Sequence, residues 1–131
     1  MVPIFFLFVT FAGQGASGDG RGFFGKWRGE SVCVDRNSAC HDESVVFRIS
    51  NSAGSEEAFA VQASKIVDGH EIDMGTLRFR WDAAEAKIIC DYPQGVWKIA
   101  ASGEGLEGTL TRHDGTLFRH LALKKAAPGQ K

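Results

Sequence analysis

Hydrophobic and polar residues alternate in short runs along most of the chain from Gly25 onward. In one run Val45, Phe47 and Ile49 alternate with polar neighbours. A two-residue period of this kind is typical of a β-strand with one buried face. The dipeptide Asp68-Gly69, a strong hairpin signal, separates two such runs. The pattern therefore predicts an all-β protein.

The runs predict eight strands within about 100 residues, a density typical of a sandwich or a barrel. They cover residues 26–34, 41–50, 56–67, 70–81, 86–92, 96–102, 106–112 and 116–125. Every link between them is short enough for a hairpin, which favours a meander. No stretch keeps a helical period beyond one or two turns. We therefore expect an eight-stranded antiparallel up-and-down barrel.

Residues 1–18 differ from the rest and predict a secretory signal peptide. Residues 4–12 are apolar apart from Thr10, and small residues follow at 13 and 15–18. An apolar core of about 7–15 residues that ends in small residues is typical of such signals. No Lys or Arg precedes the core, and a buried first strand is the alternative. Cleavage after Gly15 or Gly18 would release an exported barrel domain of residues 19–125 with a loose tail of residues 126–131.

Charge excludes one class of function. Lys and Arg number 15 and Asp and Glu number 16, which gives a net charge of −1. Nucleic-acid binders usually carry a basic patch, whereas the basic cluster here lies at the tail, at Lys124, Lys125 and Lys131. We expect no nucleic-acid partner and no membrane span in the mature form, and we expect a monomer.

Three cysteines raise the question of a disulfide. Cys33 and Cys40 flank the polar stretch 35–38, which resembles a hairpin loop, and Cys90 is left over. In an oxidising compartment the first two are natural partners. Free thiols, or a metal site that adds His41, are the alternatives. The metal alternative lacks a second ligand pair, because zinc sites normally use three or four protein ligands.

The proposed disulfide conflicts with the strand pattern. If residues 35–38 form a four-residue loop, the register places Trp27 on the same face as Asp42. Phe47 and Ile49, however, occupy the apolar face of the second strand. A slip of one residue reverses every side chain. We therefore expect a bulge near His41, or no disulfide.

The first strand begins with Gly25-Lys26-Trp27, and Arg119 lies near the end of the chain. In these two features the chain resembles the calycin group, which includes the lipocalins. The chain also resembles small uncharacterised exported bacterial proteins with a similar Trp start and a second strand like Cys40–Glu43. The lipocalin resemblance implies that Trp27 closes one barrel end and that Arg119 lies over its ring, a cation–π contact. The lipocalin Thr-Asp-Tyr motif and C-terminal helix are absent from this chain.

An eight-stranded barrel is just wide enough to be filled by side chains or to hold one small ligand. Aromatic side chains would line a ligand pocket if the interior is hollow, or would fill the core otherwise. The candidates are Phe47, Phe59, Phe79, Trp81 and Trp97.

No arrangement of residues typical of an enzyme, a metal site or a cofactor site emerges. His41, Asp42 and Glu43 are consecutive, and consecutive strand residues point to opposite faces, so a solvated strand start is the simpler interpretation. The GxGxxG spacing at 103–108 lacks the following helix that a dinucleotide site requires. We therefore expect no catalytic residues, no metal and no cofactor.

Two functions remain ahead of an enzyme. The first is an exported calycin-like barrel that binds a small apolar ligand. The alternative is a protein that acts through its surface or loops on a protein partner, such as a periplasmic hydrolase inhibitor, with loops 35–38 and 91–95 as candidate contacts.

Overall fold

The structure, a computed structural model, describes residues 20–35, 37, 39–52 and 55–126. The predicted signal peptide, residues 1–18, and all but the first residue of the predicted tail lie outside these residues. The described chain forms a short 3₁₀-helix at Arg21–Phe23 and eight strands. The strands are β1 (Gly25–Cys33), β2 (Glu43–Ser52), β3 (Ser55–Val67), β4 (His70–Asp82), β5 (Lys87–Tyr92), β6 (Gly95–Ser102), β7 (Gly105–Thr111) and β8 (Leu117–Lys125).

The strands form a closed antiparallel barrel in which each strand pairs with its neighbour in sequence and β8 pairs with β1. This confirms the predicted eight-stranded up-and-down barrel. The connection between β3 and β4 is the expected tight turn, in which Asp68 and Gly69 both have positive φ angles, 53° and 78°. Two positive φ angles suit a type I′ hairpin turn, whose twist matches that of the flanking strands.

The barrel has two different ends. At the end where β1 begins, which we call the closed end, Phe23 from the 3₁₀-helix and Trp27 are both buried. Gly20 turns the chain onto this end with a φ of 75°, and a Cβ there would lie 2.8 Å from the Phe59 ring. Glycine therefore allows the backbone at this position to lie directly against the aromatic core. The end where β1 finishes, which we call the open end, carries connections 34–42, 68–69, 93–94 and 112–116.

The register of β1 and β2 resolves the conflict between the disulfide and the apolar face. Trp27 pairs with Phe47, so both side chains lie on the inner face. The predicted four-residue loop is wrong, because β2 begins at Glu43 and the connection spans residues 34–42. Within this longer loop Cys33 and Cys40 form the disulfide, with Cα atoms 6.1 Å apart. The disulfide prediction is confirmed without a bulge near His41.

Among the described residues no helix is long and apolar enough to cross a membrane.

Candidate ligand-binding cavity

Aromatic side chains fill the closed half of the barrel. Phe23 makes edge-on contacts with Phe59 and with Trp81, at ring-centroid distances of 6.3 and 5.9 Å. The indole Nε1 of Trp27 donates a hydrogen bond of 2.9 Å to the carbonyl oxygen of Phe23. The 3₁₀-helix is therefore fixed to the barrel by both packing and a hydrogen bond. Of the five aromatic residues considered for a pocket, Phe59 and Trp81 belong to this plug.

The predicted contact between Arg119 and Trp27 is wrong. Residue 119 pairs with Cys33, at the open end of β1, whereas Trp27 pairs with Lys125. The ammonium of Lys125 lies 4.7 Å from the centre of the Trp27 ring and donates a hydrogen bond to the carbonyl of Phe24. The cation–π contact exists, but lysine makes it. Arg119 precedes Lys125 by six residues along β8, or three periods of the strand alternation, so both point inward and only the register distinguishes them.

A cavity of about 250 Å³ occupies the open half of the barrel. The other three candidate aromatics, Phe47, Phe79 and Trp97, lie in its wall. Aliphatic side chains complete the apolar lining, namely Val45, Val61, Ala63, Met74, Leu77 and Leu110. The volume exceeds the roughly 150 Å³ of an engineered apolar cavity that binds benzene, and lies below the roughly 300–1,000 Å³ of drug-sized sites. The cavity suits one small apolar molecule.

Small residues on neighbouring strands leave this half of the barrel hollow. Ala63 of β3 pairs with Gly75 of β4, so a methyl group faces a residue without a side chain. The partner of Ala63 on the other side is Phe47, which reaches the cavity wall but does not fill the space. Ala63 and Gly75 were missed by the sequence argument, although small residues at inward positions are a readable signal of open space.

A bulge in β4 supplies part of the lining. Ala63 pairs with Gly75 while Ser64 pairs with Asp73, so Met74 is an extra residue on β4. Gly75 has a φ of 106°, and its N–H donates a 2.7 Å hydrogen bond to the carboxylate of Asp73. Bonds from Gln62 and from Gly75 lower the pKa of Asp73. The bulge turns Met74, a flexible and polarisable side chain, towards the cavity.

The wall between β4 and β5 is incomplete towards the open end. These strands share only the pairs Arg80–Ile89, Trp81–Ile88 and Asp82–Lys87, next to the closed end. Met74 and Leu77 on one side, and Tyr92 on the other, line the cavity where the pairing stops. Backbone pairing between these two strands therefore stops before the level of the cavity mouth.

Polar groups gather at the mouth of the cavity. The guanidinium of Arg119 donates hydrogen bonds to the hydroxyl and the carbonyl of Ser31, at 2.8 and 3.2 Å, and to the carbonyl of His41 at 2.6 Å. Arg119 thereby ties the disulfide loop to the rim of the barrel. Glu43, Tyr92 and Gln94 complete the polar lining. A few polar groups beside an apolar wall can orient a ligand that has one polar end.

Exposed apolar side chains surround the same open end. Among the residues whose burial the structure describes, the large hydrophobic side chains that stay exposed are Val32, Val34, Val67, Ile72, Met74 and Leu117. All of them lie within five residues of the open-end terminus of a strand, or just beyond it. Single exposed hydrophobic residues are ordinary, whereas this group is concentrated at one end of the barrel.

The pKa shifts among the described titratable groups have local causes. Burial, followed by the nearby charge of Asp91, raises the pKa of the Cys90 thiol, which makes this buried cysteine a poor nucleophile. On the outer surface Arg48 and Glu71 form a 3.0 Å ion pair, and the hydrogen bond from Arg48 lowers the pKa of Glu71. No group of three or more His, Cys, Asp or Glu side chains that could hold a metal ion occurs in the part of the chain that the structure describes.

No family model matches the chain, and no curated protein or solved structure is significantly similar to it.

Proposed function

We propose that this protein is an exported, calycin-like barrel that binds a small apolar ligand in the open half of its interior. The supporting observation is the asymmetry of the barrel. Buried aromatic side chains occupy the interior at the closed end, and the cleft of about 410 Å³ there is formed with the 3₁₀-helix and the closed-end turns. The open half keeps an apolar cavity of about 250 Å³ between the strands, with polar groups at its mouth. A barrel that served only as a rigid support would gain stability from covering these apolar walls, since burial of apolar surface stabilises by roughly 25 cal/mol per Å².

Binding is driven by removal of apolar surface from water. Phe47, Phe79 and Trp97 provide flat faces, and Met74 adapts to the shape of the ligand. The Arg119 guanidinium lies at the mouth, where it donates hydrogen bonds to oxygen atoms of Ser31 and His41 and lies 5.9 Å from the centre of the Phe118 ring. We expect ligands with an apolar body and at most one polar end.

The variant Ala63→Phe tests the cavity directly. A phenyl ring at this inward position fills the hollow half, and we expect the affinity for 1-hexanol to fall at least tenfold. Titration followed by tryptophan fluorescence measures the loss, because Trp97 lies in the cavity wall.

Ala60→Phe is the matched control for this variant. Ala60 lies on the same strand and pairs with Arg78 on the outer face, so the same substitution leaves the cavity unchanged. We expect wild-type affinity for this control. Equal affinity of Ala63→Phe and wild type for hexanol would place binding outside the cavity and contradict the proposal.

Export is part of the proposal. The disulfide between Cys33 and Cys40 suits an oxidising compartment, and residues 1–18 have the apolar core and small residues of a signal peptide. The mature protein then begins a few residues before the 3₁₀-helix that plugs the closed end.

The second candidate is a protein that acts through its open end on a protein partner, such as a periplasmic hydrolase inhibitor. The exposed apolar side chains at the open end favour it, because a partner would cover them. Ala63→Phe distinguishes the two functions. A surface inhibitor keeps its activity when the cavity is filled, whereas a ligand carrier loses its affinity.

A further inference from the structure

The hairpin of β3 and β4 continues well beyond the point where its pairing with β2 and β5 stops. Both strands have 13 residues, the longest of the barrel. On one side, β2 pairs with β3 only as far as Lys65, opposite Val45. On the other side, β5 pairs with β4 only from Arg80 onward. The outer part of the hairpin, residues 66–73, is therefore paired with neither β2 nor β5, and its inner face is open.

Apolar side chains continue the cavity lining along this inner face. Lys65 pairs with Val45 on one side and with Ile72 on the other, and directly paired residues share a face of the sheet. Val45 lines the cavity, so Ile72 lies on the cavity side of the hairpin. Val67 follows Lys65 by two residues and lies on the same face. The apolar track runs from Phe79 at the base of the cavity through Leu77 and Met74 to Ile72 and Val67. Lys65 and His70, the partners of Ile72 and Val67, lie on the same face and border the outer part of the track.

Solvent exposure separates the track into two parts. Phe79 is 2 % exposed, whereas Met74 and Ile72 are 45 and 43 % exposed. At about 3.3 Å per residue, the stretch from Phe79 to Ile72 spans roughly 20 Å. A methylene group occupies about the same volume as one molecule of liquid water, roughly 30 Å³. The cavity of about 250 Å³ therefore holds a chain of about eight methylene groups. The track is longer than a ligand that the cavity alone could enclose.

We propose that the ligand is a linear alkyl chain that fills the cavity and continues along the inner face of the β3–β4 hairpin, with Val67 and Ile72 as residues that determine its length. This inference rests on the proposed function, since the chain must first enter the cavity. A linear chain fits because the lining is a narrow track one strand wide, whereas a compact ligand would leave Ile72 and Val67 in water. The polar end of the chain lies outside, near the tip of the hairpin.

A series of 1-alkanols from hexanol to dodecanol tests the inference by tryptophan fluorescence titration. Each methylene group that is buried on all sides strengthens binding by about fourfold. Each methylene group that is covered on one side strengthens binding by about twofold. We expect the affinity to rise along the whole series, with dodecanol bound at least tenfold more tightly than octanol.

The variant Val67→Asn/Ile72→Asn makes the inner face of the hairpin polar and leaves the cavity wall intact. It should remove the tenfold advantage of dodecanol and change the octanol dissociation constant by less than twofold. Val32→Asn is the matched control, because Val32 is 37 % exposed at the same end but pairs with His120 on the outer face. This control should keep the dodecanol advantage.

The outcomes separate the two proposals. Absence of binding for every alkanol overturns the proposed function, and the inference with it. The inference alone is overturned if octanol binds tightly and dodecanol binds no more tightly. It is also overturned if the Val67→Asn/Ile72→Asn variant still binds dodecanol at least tenfold more tightly than octanol. Loss of the advantage in the hairpin variant but not in the control supports it.

Discussion

Replacing Trp27 by alanine is expected to lower the free energy of unfolding by about 3–5 kcal/mol, the range for truncating a buried aromatic side chain. Trp27 is 4 % exposed, and its Nε1 is the hydrogen-bond partner of the Phe23 carbonyl. Its loss empties the centre of the closed end and releases the 3₁₀-helix. Urea unfolding monitored by far-ultraviolet circular dichroism measures the change.

Two further variants show which part of this loss comes from packing. Trp27→Phe keeps an aromatic ring but leaves the Phe23 carbonyl without its donor, which costs about 1–3 kcal/mol if the carbonyl stays out of water. Trp97→Ala removes a half-buried indole from the cavity wall, where open space already exists, and should cost less than Trp27→Ala. A loss below about 1 kcal/mol for Trp27→Ala would contradict the plugged closed end.

Removal of the disulfide is expected to cost about 2–3 kcal/mol, because the short ring closed by Cys33 and Cys40 restricts the unfolded chain. The double variant Cys33→Ser/Cys40→Ser, studied by urea unfolding, gives this value. Arg119 still holds the base of the loop through the His41 carbonyl, and Asp42 still accepts a 2.9 Å hydrogen bond from the Cys33 N–H. The barrel should therefore remain folded.

The disulfide-bonded, reduced and double-serine proteins are best compared with Cys90 replaced by alanine. This replacement removes the free thiol that could form a non-native disulfide with Cys33 or Cys40. In that background the reduced protein and the double serine variant should unfold at the same urea concentration. Unchanged stability on reduction would mean that the disulfide does not form in the protein.

The sequence was sufficient for the fold because its information is local. Inward residues alternate with outward ones, and turn dipeptides such as Asp68-Gly69 mark the hairpins. The disulfide could also be predicted, since proximity in sequence limits the distance between Cys33 and Cys40. The length of the loop around the disulfide could not be predicted. His41 and Asp42 match a strand pattern in the sequence, but in the structure they accept hydrogen bonds from Arg119 and from the Cys33 N–H.

The candidate site depends on the register between distant strands, and this was harder to predict. Arg119 has the inward parity that the expected contact with Trp27 required, yet its pairing with Cys33 places it at the other end of the barrel. The five aromatic candidates divide between the plug and the cavity according to their height along the barrel axis, and this height likewise depends on the register between strands. The bulge at Met74 and the early end of β4–β5 pairing leave no clear sequence signal.

Native mass spectrometry of the mature protein, produced in an oxidising compartment, tests ligand binding most directly. We expect a mass two hydrogens below that of the reduced chain, together with an additional small mass that disappears on denaturation. Ala63→Phe should lack the additional mass, and Ala60→Phe should retain it. A protein that carries no extra mass and gains none after incubation with 1-hexanol would contradict the claim that the open half of the barrel is a ligand site.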